Sequence, residues 1–448
     1  MTETYDLIAI GTGSAASVAA YTCRKQGWRV AVVDSRPFGG TCALRGCDPK
    51  KVLVGAADAL EQTRRMYGSG LAADGLRIEW SELMAFKRSF TQPVPEDREK
   101  AFRRAGVDTL HGRARFTGAT SLEVAGETFE TGKVLVATGA KPRPLSLRGE
   151  EHVTTSTEFL ELDELPRRIV FVGGGYISFE FAHLAVRAGS QVTILHRSDR
   201  VLKNFEPDLV DRLVEATRDA GIDVRTRAPV VQVEQAHEGL RVHTERGVDP
   251  VECDLVIHGA GRVPEIEDLD LDAASVAHDD RGVHVNQYLQ STTNPDVYAA
   301  GDAAATDGWP LTPVASAEGH VAAANMLRGN ERAADFTGTA SVVFTIPPLA
   351  RVGLTEEEAR AENLAFAIQQ GDMDEWYSYR HLRSRPAAYK VLVEEGSGHI
   401  LGAHLLGDRA EETINLFALA VRHQIPVGEL RRVPWAYPTH GSDLPYMV

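Results

Sequence analysis

The sequence predicts an α/β protein: two Rossmann-like domains followed by an α+β C-terminal domain. Three observations carry this. A strand, a glycine-rich turn, a helix and a second strand follow one another between Asp6 and Asp34. The same order recurs between Arg168 and Leu195. From about Thr337 the pattern changes to short strands of antiparallel character with two helices. At 448 residues the chain has room for roughly three domains.

The first strand is the apolar run Asp6-Leu7-Ile8-Ala9-Ile10. The turn Gly11-Thr12-Gly13-Ser14-Ala15-Ala16 has the G-x-G-x-x-A form, a helix reaches about Gln26, and Trp28 to Asp34 is the next strand. Glycines at Gly11 and Gly13 let a pyrophosphate approach the backbone, and the helix N-terminus at Ser14 and Ala16 faces the anion. Asp34 lies 23 positions after Gly11, where an acid accepts from a ribose hydroxyl. Alone this turn is weak evidence; between strand and helix it identifies a nucleotide-binding domain.

The second unit has Gly173-Gly174-Gly175-Tyr176-Ile177-Ser178 as its turn. Gly173, Gly175 and Ile177 take the phosphate-binding positions. Counting 23 residues from Gly173 reaches His196, followed by Arg197. An acid here would repel a 2′-phosphate, whereas Arg197 binds one bidentately, with Lys203 as a second cation. This unit therefore reads as an NADPH site.

Cys42 and Cys47 stand five positions apart in Gly40-Thr41-Cys42-Ala43-Leu44-Arg45-Gly46-Cys47-Asp48-Pro49-Lys50. Asp48 suits an N-cap and Pro49 the first position of a helix running to about Met66. A helix N-terminus favours thiolate over thiol, so the pair is expected to be reactive. No other Cys/His pair stands at ligand spacing, so no metal site is predicted. Cys23 and Cys253 fall in a predicted helix and strand and read as core residues.

The formal net charge is −15, which argues against nucleic acid and anionic membranes as partners. No apolar run has membrane-span length. A strand pattern beginning by Tyr5 leaves no room for a secretion signal, so the expected location is cytoplasmic.

The cysteine segment resembles the active-site disulfide of the glutathione reductase, dihydrolipoamide dehydrogenase and mercuric reductase group. These are flavoproteins of the pyridine nucleotide-disulfide oxidoreductase family. The resemblance runs through the chain and implies FAD in the first unit and NADPH in the second. It implies that Cys42 exchanges with substrate, while Cys47 sits against the flavin and forms the charge-transfer complex. Gly40 and Thr41 would border the flavin. Ala137-Thr138-Gly139 matches the crossing from the FAD domain to the NADPH domain, and Gly261-Arg262 marks the return. Gly301-Asp302 would hold the ribityl chain, and Leu311-Thr312-Pro313 precedes a helix, Ala317 to Arg328, aimed at the flavin. Lys50, with Lys51 as the alternative, and Glu180 would form the charge pair near flavin N5; Tyr176 would cover the nicotinamide pocket. The implied division is 1–145 (FAD), 146–268 (NADPH), 269–336 (FAD, continued) and 337–448 (dimerisation). A homodimer is implied, with the partner's C-terminal segment closing each site.

The pattern breaks in three places. Asp48 replaces the usual Val or Ile, and a carboxylate beside Cys47 should disfavour its thiolate. Disulfide-reducing relatives place a general-acid His where this chain has Tyr437, and an orienting Glu where it has Ser442. His440 follows three residues later. The arginines that hold glutathione are matched by Tyr21 and His320. The expected chemistry is hydride from NADPH through flavin to the Cys42–Cys47 disulfide, which acts on a disulfide or other sulfur-containing substrate. A mercuric-type metal reductase and reductive carbon–sulfur cleavage are the alternatives, and Tyr437 is the catalytic candidate in place of His.

Overall fold

A computed structural model describes residues 3–72, 74–245 and 249–448. The chain forms two compact units: residues 1–50, 86–143 and 262–336, and residues 51–85, 144–261 and 337–448.

In the first unit, the strand Glu3–Ile10 pairs in parallel with Val30–Asp34 on one side and Glu127–Val136 on the other. Asp108–His111 extends the sheet beyond Val30–Asp34, and Val297–Ala299 lies in parallel on Glu127–Val136. The apolar runs Leu7–Ile10, Val30–Val33, Val134–Val136 and Val297–Ala299 are buried, as the centre of a parallel sheet covered on both faces requires, whereas Asp108–His111 is a partly exposed edge. Ile10 pairs with Val136, so both strands end at one level and bring Gly11 beside Ala137. Helices Ser14–Lys25 and Thr312–Arg328 pack at backbone distance: a Cβ on Gly319 would lie 2.5 Å from the Ala15 oxygen.

The second unit carries the second βαβ set. Its parallel sheet runs Ile222–Arg225, Gln191–Leu195, Arg168–Val172, Leu255–His258, Val153–Thr154. The C-terminal antiparallel sheet runs Ala340–Val343, Leu349–Gly353, Ile400–Leu406, Ala388–Glu394, Phe366–Asp372. Helix Ala410–Arg422 follows the third of these in sequence.

Two boundaries differ from the sequence reading. The C-terminal part of helix Cys47–Arg65 and residues to 85 cluster with the second unit, because Leu53, Ala57, Trp80 and Met84 are buried with Phe159 and Phe179. The helix expected from Ala317 begins at Thr312; extended Leu311 precedes it, and Pro313 suits its first turn.

Candidate functional site: a dithiol beside a glycine-rich cradle

Cys42 lies in the short helix Gly40–Arg45, and Cys47 opens the helix Cys47–Arg65. The helix thus begins one residue before the expected cap, and Asp48 falls in its first turn, where an acid complements the dipole. Both cysteines are free thiols. Cys47 Sγ is 3.6 Å from the Thr312 hydroxyl, at the start of helix Thr312–Arg328. The Cys42 thiol is 3.8 Å from Asp48 Oδ1, to which it donates.

The helix-end setting that favours a reactive pair is opposed at Cys42 by its neighbours. Its hydrogen bond with Cys47 and its burial push the thiol pKa well up, and the nearby Asp48 charge adds to the rise; Thr312 opposes it. The Asp48 carboxylate, adjacent to Cys47 in sequence, thus also reaches Cys42. Cys23 and Cys253 are buried, and burial pushes each thiol up to about 12.

The glycine cradle lies in the same unit. Gly11 has φ +114°, and a Cβ there would collide with the Ala137 carbonyl. A Cβ on Gly40 would lie 2.5 Å from Gly13 Cα, so the cysteine-bearing helix starts against the turn that precedes Ser14–Lys25. Thr12 ties the turn together: its hydroxyl donates to Asp34 Oδ2 at 2.6 Å and accepts from Gly39 N–H at 3.1 Å. Asp34 Oδ1 also accepts from the Arg36 amide at 3.0 Å. Ala16 is buried beneath the turn. Thr138 keeps a buried hydroxyl with no protein partner, and Gly139 has φ +74°. Arg262 donates to the Ala140 carbonyl. Burial raises the Asp302 pKa, with Arg262 opposing. The close backbone packing at Gly11, Gly13 and Gly40, which leaves no room for side chains, and the orphaned Thr138 hydroxyl fit a dinucleotide-binding turn.

Sequence reasoning missed Glu318, the lone acid in helix Thr312–Arg328. It is 2% exposed, and accepts from Gly301 N–H at 2.6 Å and Thr306 Oγ1 at 2.8 Å. Burial pushes its carboxyl up to about 7, against those two hydrogen bonds. The available signal was a single carboxylate in an otherwise small and apolar helix segment.

In the second unit, Gly173 has φ +109°, and a Cβ there would collide with the Gly259 carbonyl. Helix Tyr176–Arg187 starts after Gly175. Tyr176 is 46% exposed at its mouth, and Ile177 is half-buried beside it. Ser178 Oγ is buried without a protein partner, a further fit to a nucleotide at this turn. His196 lies against the turn, since a Cβ on Gly174 would be 2.8 Å from its ring. Its Nε2 is engaged with Arg200 O at 2.9 Å and Ser198 Oγ at 2.8 Å. Burial lowers its pKa, and Lys203 and Arg197 lower it further. The ring is thereby committed to the loop; Arg197, Arg200 and Lys203 are exposed cations beside it, and Arg200 pairs with Glu357 at 3.6 Å. Gly261, with φ +110°, ends the 144–261 segment of this unit.

The lysine–glutamate expectation meets a specific arrangement. Glu180 is buried and accepts from Phe344 N–H at 2.8 Å, and Lys51 Nζ lies 4.1 Å from the centre of the Phe344 ring. Lys51 and Glu180 therefore converge on one residue. Lys50 stands one turn beyond Cys47 and belongs to the first unit.

Tyr437 is 79% exposed. Ser442, at the position of the orienting acid, is spent on a local cap with Thr439: each backbone N–H donates to the other's hydroxyl at 3.2 Å. His440 is half-buried, packs edge-on against Tyr379 with centroids 4.7 Å apart, and is pressed toward the neutral form by burial.

Two glycine-turn nucleotide cradles and a vicinal dithiol define a nucleotide-dependent dithiol oxidoreductase. The comparisons with known proteins give the family. Residues 5–319 match the pyridine nucleotide-disulphide oxidoreductase model, and residues 339–447 match the dimerisation domain of the same family. The chain belongs to this family, whose members are FAD flavoproteins with a redox disulfide. It is 32% identical to a glutathione reductase of Nostoc sp. over 94% of both chains. It is 30% identical to a mercuric reductase of Bacillus cereus, over 99% of this chain and 71% of that one. Among solved structures, the Cu(II) complex of the HOCl-induced flavoprotein disulfide reductase RclA from Escherichia coli matches with TM-score 0.89 and 26% identity, over 100% of this chain and 99% of that one. Among the described residues, no helix is long and apolar enough to cross a membrane.

Proposed function

We propose that the protein uses NADPH to reduce the Cys42–Cys47 disulfide and that the reduced pair acts on a small disulfide or another sulfur-containing substrate. The observation that carries this reading is the dithiol itself. Cys42 and Cys47 adjoin the glycine cradle through Gly40 and Gly13, and Cys47 is hydrogen-bonded at the start of helix Thr312–Arg328. Bound FAD supplies the two-electron relay between the nicotinamide and the disulfide. Gly11, Gly13, Ser14, Asp34, Thr138 and Asp302 hold it, and Arg197 and Lys203 select the 2′-phosphate of NADPH. The working form is a cytoplasmic homodimer, and the exposed Tyr437 meets the partner's dithiol as a proton donor. Tyrosine is a donor and a poor base at neutral pH, which disfavours ordinary glutathione disulfide as substrate.

A second reading is a thiophilic metal ion as electron acceptor. Tyr437 without an orienting acid favours it, and relatives include mercuric reductases and a Cu(II)-bound flavoprotein disulfide reductase. Anaerobic NADPH oxidation against a panel of disulfides, Cu(II) and Hg(II) tests both. Turnover of a disulfide that Cys42→Ser abolishes supports the first reading. Turnover of metal ions alone replaces it with the second, and NADPH consumption that survives loss of both cysteines removes both.

A further inference from the structure

Asp48 is exposed in the first turn of helix Cys47–Arg65, with Oδ1 3.8 Å from Cys42 Sγ. Cys42 is half-buried and holds its proton against its neighbours: Cys47, burial and the Asp48 charge all act in that direction. An attacking sulfur must be a thiolate, so this proton has to leave before Cys42 can react. The Asp48 carboxylate lies within hydrogen-bond reach of the Cys42 thiol in the same chain.

We propose that Asp48 is the acid–base catalyst of Cys42, taking the thiol proton during attack and returning it to the leaving sulfur. This rests on the reading that the reduced pair attacks a sulfur–sulfur bond. The reduced pair starts as a Cys42 thiol and a Cys47 thiolate. Asp48 accepts the Cys42 proton as Sγ attacks one sulfur of the substrate disulfide. A Cys42–substrate S–S bond forms, the substrate S–S bond breaks, and the departing sulfur leaves with the electron pair. Asp48 hands it the proton, giving a thiol. The Cys47 thiolate then attacks Cys42 Sγ, expelling the second substrate sulfur as a thiolate and closing the Cys42–Cys47 bond. The pair loses two electrons and the substrate gains two. The carboxylate ends as it began.

The experiment compares two disulfides on the holoprotein, reduced anaerobically with dithionite, by stopped flow. Bis(2-hydroxyethyl) disulfide releases a basic alkyl thiolate that needs a proton. 5,5′-Dithiobis(2-nitrobenzoate) releases an aryl thiolate that is stable as the anion. Asp48→Asn is expected to slow the dialkyl reaction, which loses both proton acceptance and proton return, by about 100-fold, within the range of general acid–base catalysis, and to slow the aryl reaction, which loses proton acceptance alone, by a clearly smaller factor. Asp48→Glu is expected to recover part of the dialkyl rate. The ratio of the two rates in one preparation is insensitive to how much of the variant folds. If Asp48→Asn changes both rates by the same factor, in either direction, Asp48 acts only as a charge and the proposal is overturned. If the unmutated protein reacts with neither disulfide, the sulfur–sulfur reading itself fails, and the proposal with it.

Discussion

The Thr312 hydroxyl lies 3.6 Å from Cys47 Sγ, so the first residue of one helix is bonded to the first residue of another. A thiolate at Cys47 would accept from that hydroxyl and be stabilised by it. Thr312→Val keeps the shape and removes the donor. The expected loss is about 1–2 kcal/mol of thiolate stabilisation, which raises the pH midpoint of the long-wavelength absorption of the reduced protein by about one unit. Spectrophotometric titration measures it; an unmoved midpoint means that the hydroxyl does not bond the thiolate.

Replacement of each cysteine separates their roles. Cys47→Ser is expected to abolish the long-wavelength band produced by anaerobic NADPH. Cys42→Ser is expected to leave a band already in the oxidised protein, because Cys47 can no longer close a disulfide. The reverse pattern would exchange the assignments of the two sulfurs.

Cofactor choice is expected to rest on Arg197 and Lys203, two exposed cations beside the engaged His196. NADPH should be preferred over NADH by about 1–3 kcal/mol in kcat/KM, from charge-assisted contacts to the 2′-phosphate. Arg197→Glu should reverse the order. Equal kcat/KM values for the two nucleotides in the unmutated protein would remove the phosphate-binding role.

Glu318 gives a pH prediction of definite sign. Its pKa is raised from 4.5 to about 7 by burial, so folding favours the protonated acid. Stability from this group is complete below about pH 4.5 and falls as pH rises through 7, by at most about 3 kcal/mol. Gln can accept from Gly301 N–H and donate to the Thr306 hydroxyl, so Glu318→Gln should flatten the fall without breaking the loop. Denaturant unfolding at pH 5 and pH 8 checks this. Equal pH dependence in both proteins would place the titration elsewhere.

Tyr437→Phe is expected to slow only the half-reaction with the true substrate and to spare hydride transfer from NADPH. Stopped-flow separation of the two halves measures this. If neither half changes, the hydroxyl has no chemical role.

Much of this was legible in the sequence because strand–turn–helix order is local. The spacing from Gly11 to Asp34 located a bonded set in which Thr12 joins Asp34 and Gly39. What escaped depends on three-dimensional neighbours. Asp48 is adjacent to Cys47 in sequence, yet side-chain direction in the first turn carries its carboxylate to Cys42. His196 fills the sequence position of a ribose-binding acid, but hydrogen bonds to Arg200 and Ser198 draw its ring into the loop. Glu318 carried no motif; only burial and the Gly301 amide reveal it. The small residues before Ala317 hid a helix start that Pro313 permits.

One charge cluster of the second unit has a practical side. Glu206, Asp208 and Glu356 stand close enough together to hold a metal ion, but Lys390 Nζ reaches them at 2.9, 2.7 and 2.5 Å. Lys390 comes from strand Ala388–Glu394, whereas Asp208 and Glu356 lie at the starts of helices Pro207–Asp219 and Glu356–Ala361. The ammonium is a counter-ion tethered to the chain, present at one equivalent whatever the buffer holds. A chelator has nothing to remove here and dilution cannot empty the position, so this junction keeps its charge balance in media that would strip a calcium-dependent fold.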